Sequence, residues 1–127
     1  MNNRIAILSD IHGDTTALKA VIADARALGA TEYWLLGDIL LPGPGREDLF
    51  ELLDAIPITA AVRGNWDDCV LEALDGEYGL EDPQEIQLLR LTQYLMEGLD
   101  PKRIDWLRSL PLVEKKEVNG IRFSLTH

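Results

Sequence analysis

Apolar runs of strand length alternate with helical periodicity through the first half of the chain. Residues 4–9 (RIAILS) read as a buried strand. Leu18, Val21, Ile22, Ala25 and Leu28 then fall on one helical face, with Asp14 or Thr15 placed to cap its start and Gly29 its end. Residues 33–36 (YWLL) predict a second strand and residues 46–53 a second helix with Leu49, Phe50, Leu52 and Leu53 apolar. Residues 58–62 (ITAAV) predict a third strand. This β-α-β-α-β order, with right-handed crossovers, predicts a parallel sheet covered by helices.

The second half changes character. Residues 67–74, 85–99 and 102–110 read as helices, the last with Asp100 at its N-cap and Pro101 at the first position, where the missing N–H costs nothing. Leu88, Leu91, Leu95 and Leu99 form a helical stripe that reads as core. Residues 112–118 and 121–126 flank Asn119-Gly120, a two-residue hairpin signal. No repeat, low-complexity tract or interdomain linker interrupts the chain, and residues 41–45 (LPGPG) read as a rigid loop.

Composition narrows the function classes. At 127 residues the chain is one domain with room for a core. Acidic residues exceed basic ones 22 to 12, a net charge of −10, which argues against binding duplex nucleic acid or an anionic membrane. No apolar run approaches the roughly 20 residues of a membrane span, and a strand-like segment begins almost at once, without room for a signal peptide. A single cysteine, Cys69, precludes an internal disulfide. Together these predict a cytoplasmic protein.

Candidate chemistry gathers where an open parallel sheet places it, just beyond the carboxyl ends of strands. Asp10 and His12 follow the first predicted strand, Asp38 the second and Asn65 the third. Strands lie about 4.8 Å apart, and paired metals in hydrolases about 3.5–4 Å, so these side chains can converge on two cations. Asp10 and His12, two apart in extended backbone, lean to the same side. Asp38, from the middle position, can bridge through its two oxygens, and Asn65 adds a neutral amide oxygen. This nitrogen and oxygen mixture suits manganese, iron or zinc better than an all-oxygen calcium or magnesium cage. Singly, each residue has a plainer reading: an aspartate after a strand ordinarily caps the next helix, and an asparagine after glycine serves a left-handed turn. Asp67 and Asp68 read as helix-start residues. His127, the other histidine, ends a predicted strand and can reach the same site. Arg46 lies in the loop after Asp38 and is a candidate phosphate contact, and Trp66 is placed to stack on a substrate base. Glycine-rich phosphate loops, G-x-S-x-G elbows and C-x-x-C pairs are absent.

Ser9-Asp10-Ile11-His12-Gly13, Leu36-Gly37-Asp38 and Val62-Arg63-Gly64-Asn65 resemble, in order and spacing, the first three blocks of the calcineurin-like metallophosphoesterase superfamily, and Ser124-Leu125-Thr126-His127 looks like the fourth. That pattern runs D-x-H, G-D, G-N-[H/D/C], a lone histidine and a final G-H-x-H. Gly64-Asn65-Trp66-Asp67 is similar to the G-N-x-D block of the small bacterial cytoplasmic phosphodiesterase-type members. The resemblance implies the N-terminal part of a four-layer α/β/β/α sandwich over residues 1–127, with a parallel start and a C-terminal hairpin. It implies two divalent metals, manganese favoured, one held by Asp10, His12 and Asp38, the other by Asp38, Asn65 and His127. Asp38 and Asn65 are its residues for the chemistry, which is attack on phosphorus by a metal-bridging hydroxide.

The implied substrate is a small phosphorylated compound: a phosphodiester, or a nucleotide phosphoanhydride such as a dinucleoside polyphosphate. A degenerate member that binds nucleotide or a protein partner without catalysis is the alternative. Two departures matter. Trp66 stands where many members carry a histidine, so protonation of the leaving group must come from water or elsewhere, which favours good leaving groups. The final G-H-x-H block is absent, leaving three protein ligands per metal, and the expectation is a truncated domain. Its hairpin edge, over residues 112–126, is then a surface that a second copy would cover in a homo-oligomer.

Overall fold

The computed structural model describes residues 3–127 and contains ten elements. Strands β1 (Ile5–Leu8), β2 (Glu32–Leu35) and β3 (Ile58–Ala61) form a parallel sheet with β2 in the middle. Helices α1 (Thr15–Ala27) and α2 (Glu47–Asp54) make the crossovers between them. Three helices follow, α3 (Asn65–Leu74), α4 (Pro83–Glu97) and α5 (Pro101–Ser109). Strands β4 (Val113–Val118) and β5 (Ile121–Thr126) close the chain as an antiparallel hairpin. Among the described residues no helix is long and apolar enough to cross a membrane.

Alternation along the parallel strands sorts the layers, because successive side chains point to opposite faces. Tyr33, Leu35 and Ala61 join the large core on the helix side, with Leu18, Ile22 and Leu49. Trp34, Ala60 and Val62 face the other way and pack on Leu125 of the hairpin. The result is helix, parallel sheet, hairpin: three of the four expected layers. The hairpin also reaches the edge of β3 through polar groups. Glu114 accepts from the Ala61 N–H at 3.0 Å, and Lys116 Nζ donates to the Thr59 carbonyl at 3.1 Å. These contacts occupy backbone groups that an edge strand otherwise leaves open.

Local signals account for the element ends. Asp14, Asp82 and Asp100 each cap a helix through the side chain, and Pro83 and Pro101 begin α4 and α5. Asn119 and Gly120 both adopt positive φ, +51° and +79°, as the tight hairpin turn requires.

The structure narrows two predicted stripes. On α1 only Leu18, Ile22 and Ala25 are buried, while Val21 and Leu28 are exposed. Val21 sits on the flank beside β1, an edge strand whose Ile7 is also exposed. On α4, Leu95 is buried, but Leu88 and Leu91 are only partly covered, and Leu99 is buried in the loop beyond the helix. Helix α3 begins two residues earlier than predicted, at Asn65, which brings Asn65 and Asp67 onto its first turn.

Candidate metal centre

Five side chains predicted from three strand ends and a distant strand meet in one cluster. Ligand atoms of Asp10, His12 and Asp38 all lie within 4.8 Å of one another. His12 Nε2 is 3.3 Å from Asp10 Oδ1 and 3.5 Å from Asp38 Oδ2. His127 Nε2 is 3.2 Å from Asp38 Oδ2 and 2.9 Å from Asn65 Oδ1. Asp38 Oδ2 is thus within 3.5 Å of both imidazoles.

The backbone orients this cluster in a way that the sequence pattern missed. Asp10, His12 and Asp38 all have positive φ, +58°, +51° and +56°. The extended backbone expected for Asp10 and His12 is therefore not what turns them together. Each non-glycine residue in this region carries strain on the order of 1–3 kcal/mol. Paired amides over-determine the conformation: Asp10 N–H donates to Gly37 O, His12 N–H to Asp38 O and Gly13 N–H to Ile39 O, at 2.8–3.0 Å. The two loops cross the sheet end as a hydrogen-bonded pair, and that pairing holds their side chains over the same point.

Glycines permit the close approach on the other side. A Cβ on Gly37 would lie 2.5 Å from the Gly64 nitrogen, and one on Gly64 would strike the Asp38 carboxylate. Gly64 is in allowed extended backbone (φ −98°, ψ 175°), so space rather than conformation demands glycine there.

Both histidines are aimed by their far nitrogen. His12 Nδ1 lies 2.8 Å from the Leu41 carbonyl and His127 Nδ1 2.6 Å from the Leu36 carbonyl. A carbonyl can only accept, so each Nδ1 carries the proton and each Nε2 faces the cluster. Neutral imidazole in that tautomer presents a lone pair to a cation, the usual supporting arrangement of a metal-binding histidine. His127 Nε2 and Asn65 Oδ1, 2.9 Å apart, are then two lone pairs in contact, and they need either a proton or a cation near them. The raised pKa of His127 agrees with the proton alternative: the Leu36 carbonyl is the largest cause, followed among the raising influences by the charges of Asp38, Asp10 and Asp67. Asp10 is shifted down, first by the Ser9 hydroxyl, which donates at 2.6 Å, and then by His127 and His12. Two carboxylates, two correctly directed imidazoles and an amide oxygen form a mixed nitrogen and oxygen donor set that fits a first-row divalent metal such as manganese, iron or zinc.

Asp67 is the member that sequence reasoning passed over. It is fully buried. Oδ2 accepts from the Asp38 and Gly64 amides at 2.8 and 2.9 Å, and Oδ1 from Ile39 at 2.9 Å. Burial pushes this carboxyl up, while the amides of Gly64, Ile39 and Asp38 pull it down. One side chain therefore ties the second ligand loop to the third. The signal was the third position of a helix opened by glycine, where a carboxylate reaches back to the N-terminal amides.

The remaining candidates lie at different distances from the cluster. Trp66 borders it: its backbone N–H donates to Asp38 Oδ1 at 2.8 Å and its indole meets the His12 ring edge-on at 5.8 Å. Arg46 points elsewhere. Its guanidinium lies 4.3 Å above the Tyr94 ring and donates to the Tyr94 carbonyl at 3.0 Å, which fixes α2 to α4. Arg63 is likewise engaged, with Asp68 and the Leu110 carbonyl.

Known proteins carry the same arrangement of chain. The family model described as calcineurin-like phosphoesterase matches residues 3–127. An uncharacterized protein of Methanocaldococcus jannaschii, MJ0912, is 30% identical over 131 residues, covering all of this chain and 50% of its own length. A metallophosphoesterase from Sphaerobacter thermophilus superimposes with a TM-score of 0.64 at 31% identity, over 90% of this chain and 44% of that one. The hypothetical protein PH1004 from Pyrococcus horikoshii shares the fold with a TM-score of 0.67 at 23% identity, over 94% and 52% of the two chains. The chain thus spans about half the length of these relatives. Its four sequence blocks, their convergence at the sheet end and the family match lead to one statement: this chain belongs to the calcineurin-like phosphoesterase family.

Proposed function

We propose that this chain holds a pair of divalent metals and hydrolyses a phosphodiester or a nucleotide phosphoanhydride. One observation carries the reading: Asp38 Oδ2 lies within 3.5 Å of both His12 Nε2 and His127 Nε2, and both imidazoles are aimed by backbone carbonyls. Asp10, His12 and Asp38 would hold one cation, and Asp38, Asn65 and His127 the other. Bound cations, manganese favoured, supply Lewis-acid polarisation of the phosphoryl oxygens and lower the pKa of water.

The chain's own residues set the conditions for that chemistry. Asp38 fixes the separation of the two ligand sets, because Asp67 and the Trp66 amide immobilise its loop and its carboxylate. Arg46 and Arg63 are engaged with other partners, so charge neutralisation at a phosphate would rest with cations held by the ligand cluster. The Trp66 indole carries no titrating group and borders the cluster as an apolar wall beside His12. Protonation of the departing oxygen is left to solvent, and substrates with good leaving groups are favoured.

With manganese added, the protein is expected to hydrolyse bis(p-nitrophenyl) phosphate, and Asp38→Ala to lose that activity at least a hundredfold. Turnover of simple alkyl phosphomonoesters equal to that of the diester would refute the leaving-group argument. Metal binding without hydrolysis of any diester or anhydride would leave a binding protein instead of an enzyme.

A further inference from the structure

Trp66 has a second side. Besides meeting His12, it lines a cavity of ≈ 390 Å³ together with Pro42, Cys69 and one face of α4. The α4 face consists of Gln84, Gln87, Leu88 and Leu91, which follow the i, i+3, i+4, i+7 spacing of a single helical stripe. Leu88 and Leu91 belong to the leucine stripe that reads as core in the sequence, yet only its far end, Leu95 and Leu99, is buried. The near end faces an open cavity that shares a wall, Trp66, with the metal ligands.

We propose that this cavity is a subsite for a nucleobase carried on one ester arm of the phosphate substrate. The lining contains no charged side chain, so it does not suit a phosphate. Its volume lies at the small end of ligand pockets, enough for one ring system. Trp66 offers an indole for stacking, and the leucines an apolar floor. Gln84 and Gln87 are exposed and carry both donors and acceptors, as the edge of a base does. An acyl chain would make no use of those amides or of the indole face. The proposal rests on the phosphoesterase reading for its substrate, but the cavity can be tested separately.

Cys69 is the chain's single cysteine and lines the cavity, so the reaction of its thiol with a chromogenic disulfide reagent reads occupancy independently of catalysis. Adenosine is expected to slow that reaction with or without manganese, and inorganic phosphate to leave it unchanged. Leu88→Trp, which fills the cavity, should remove the protection, and the milder Gln87→Ala should weaken it severalfold. In turnover, the kcat/KM ratio of the p-nitrophenyl ester of thymidylate over methyl p-nitrophenyl phosphate should fall roughly tenfold in Leu88→Trp, a typical loss for one base stack. An unchanged thiol rate with saturating adenosine would overturn the proposal. So would equal protection by octyl phosphate, or protection that rises with protein concentration alone, which would place a second copy there. Adenosine protection without any manganese binding would sink the metal reading and leave the cavity standing. Manganese binding without adenosine protection would do the reverse.

Discussion

Replacing Asp67 by asparagine separates a structural carboxylate from one that sets the metal site. Asp67 receives three amide hydrogen bonds, two at Oδ2 and one at Oδ1. Asparagine offers one oxygen. If that oxygen takes the Oδ2 place, the Asp38 and Gly64 bonds survive and the amide nitrogen faces the Ile39 N–H, donor against donor. A buried donor left unpaired costs about 1–3 kcal/mol. Burial of the charge is relieved at the same time, and burial is the largest influence on this carboxyl. The two effects oppose, so the net loss of stability should be modest, about 1–2 kcal/mol. Metal affinity has no such compensation. The Ile39 amide that loses its acceptor adjoins Asp38 on the second ligand loop, and a supporting contact of this kind is worth about 10–100-fold in affinity. Urea denaturation of the apo protein and manganese titration by calorimetry measure the two quantities independently. A variant that binds manganese as tightly as the parent would refute the argument, whatever its stability, and would reduce Asp67 to a helix-start residue.

Gly64→Ala should cost metal binding at least tenfold, because the new methyl group meets the Asp38 carboxylate although its backbone conformation suits alanine; calorimetry would show it. Gly120→Ala has the opposite cause: nothing lies within 4 Å, but φ is +79°, so urea unfolding should show a loss of about 1 kcal/mol and no change in manganese affinity. Arg103 pairs with both Glu47 and Asp54 and depresses the pKa of each from ordinary values of 4.5 and 3.8. A depressed carboxylate stabilises the fold above its unfolded pKa, and that contribution is lost as pH falls through the lower, folded value. Stability should therefore fall below about pH 4.5, and Arg103→Met should flatten this slope by about 1 kcal/mol or less, since Asp54 is largely exposed and screened.

Much of the architecture was legible because each element carried its own signal. The caps at Asp14 and Asp100, Pro101, the Asn119-Gly120 turn and the apolar runs all act within a few residues, and appear where they point, whereas the Asp82-Pro83 start of α4 lies two residues before the predicted helix. Ligand types at successive strand ends were legible for a related reason: parallel topology carries such residues to one edge of the sheet. The rest depends on contacts between distant segments. Nothing near Asp67 in the sequence says that it will accept from Asp38 and Ile39, and nothing near Arg46 says that Tyr94 will face it. The left-handed backbone at Asp10, His12 and Asp38 is imposed by the pairing of two loops, and local preference opposes it. The burial of the two apolar helix stripes was misjudged where a stripe runs past the edge of what covers it, at Val21 and at Leu88.

The hairpin has one more consequence. It rests on the parallel sheet through a small apolar cluster around Leu125, far less than the core on the helix side. His127, just past its second strand, meets Leu36 across 91 residues of sequence and Asn65 across 62. A cation shared by Asp38 and His127 would act as a removable cross-link between the two layers. Ligand present at a hundred times its dissociation constant adds about 2.7 kcal/mol to the state that binds it. Loading the centre would then fasten β4 and β5 to the sheet, and stripping it would release them first. The hairpin amides, followed by hydrogen exchange, would make metal occupancy a property of the fold as well as of the chemistry.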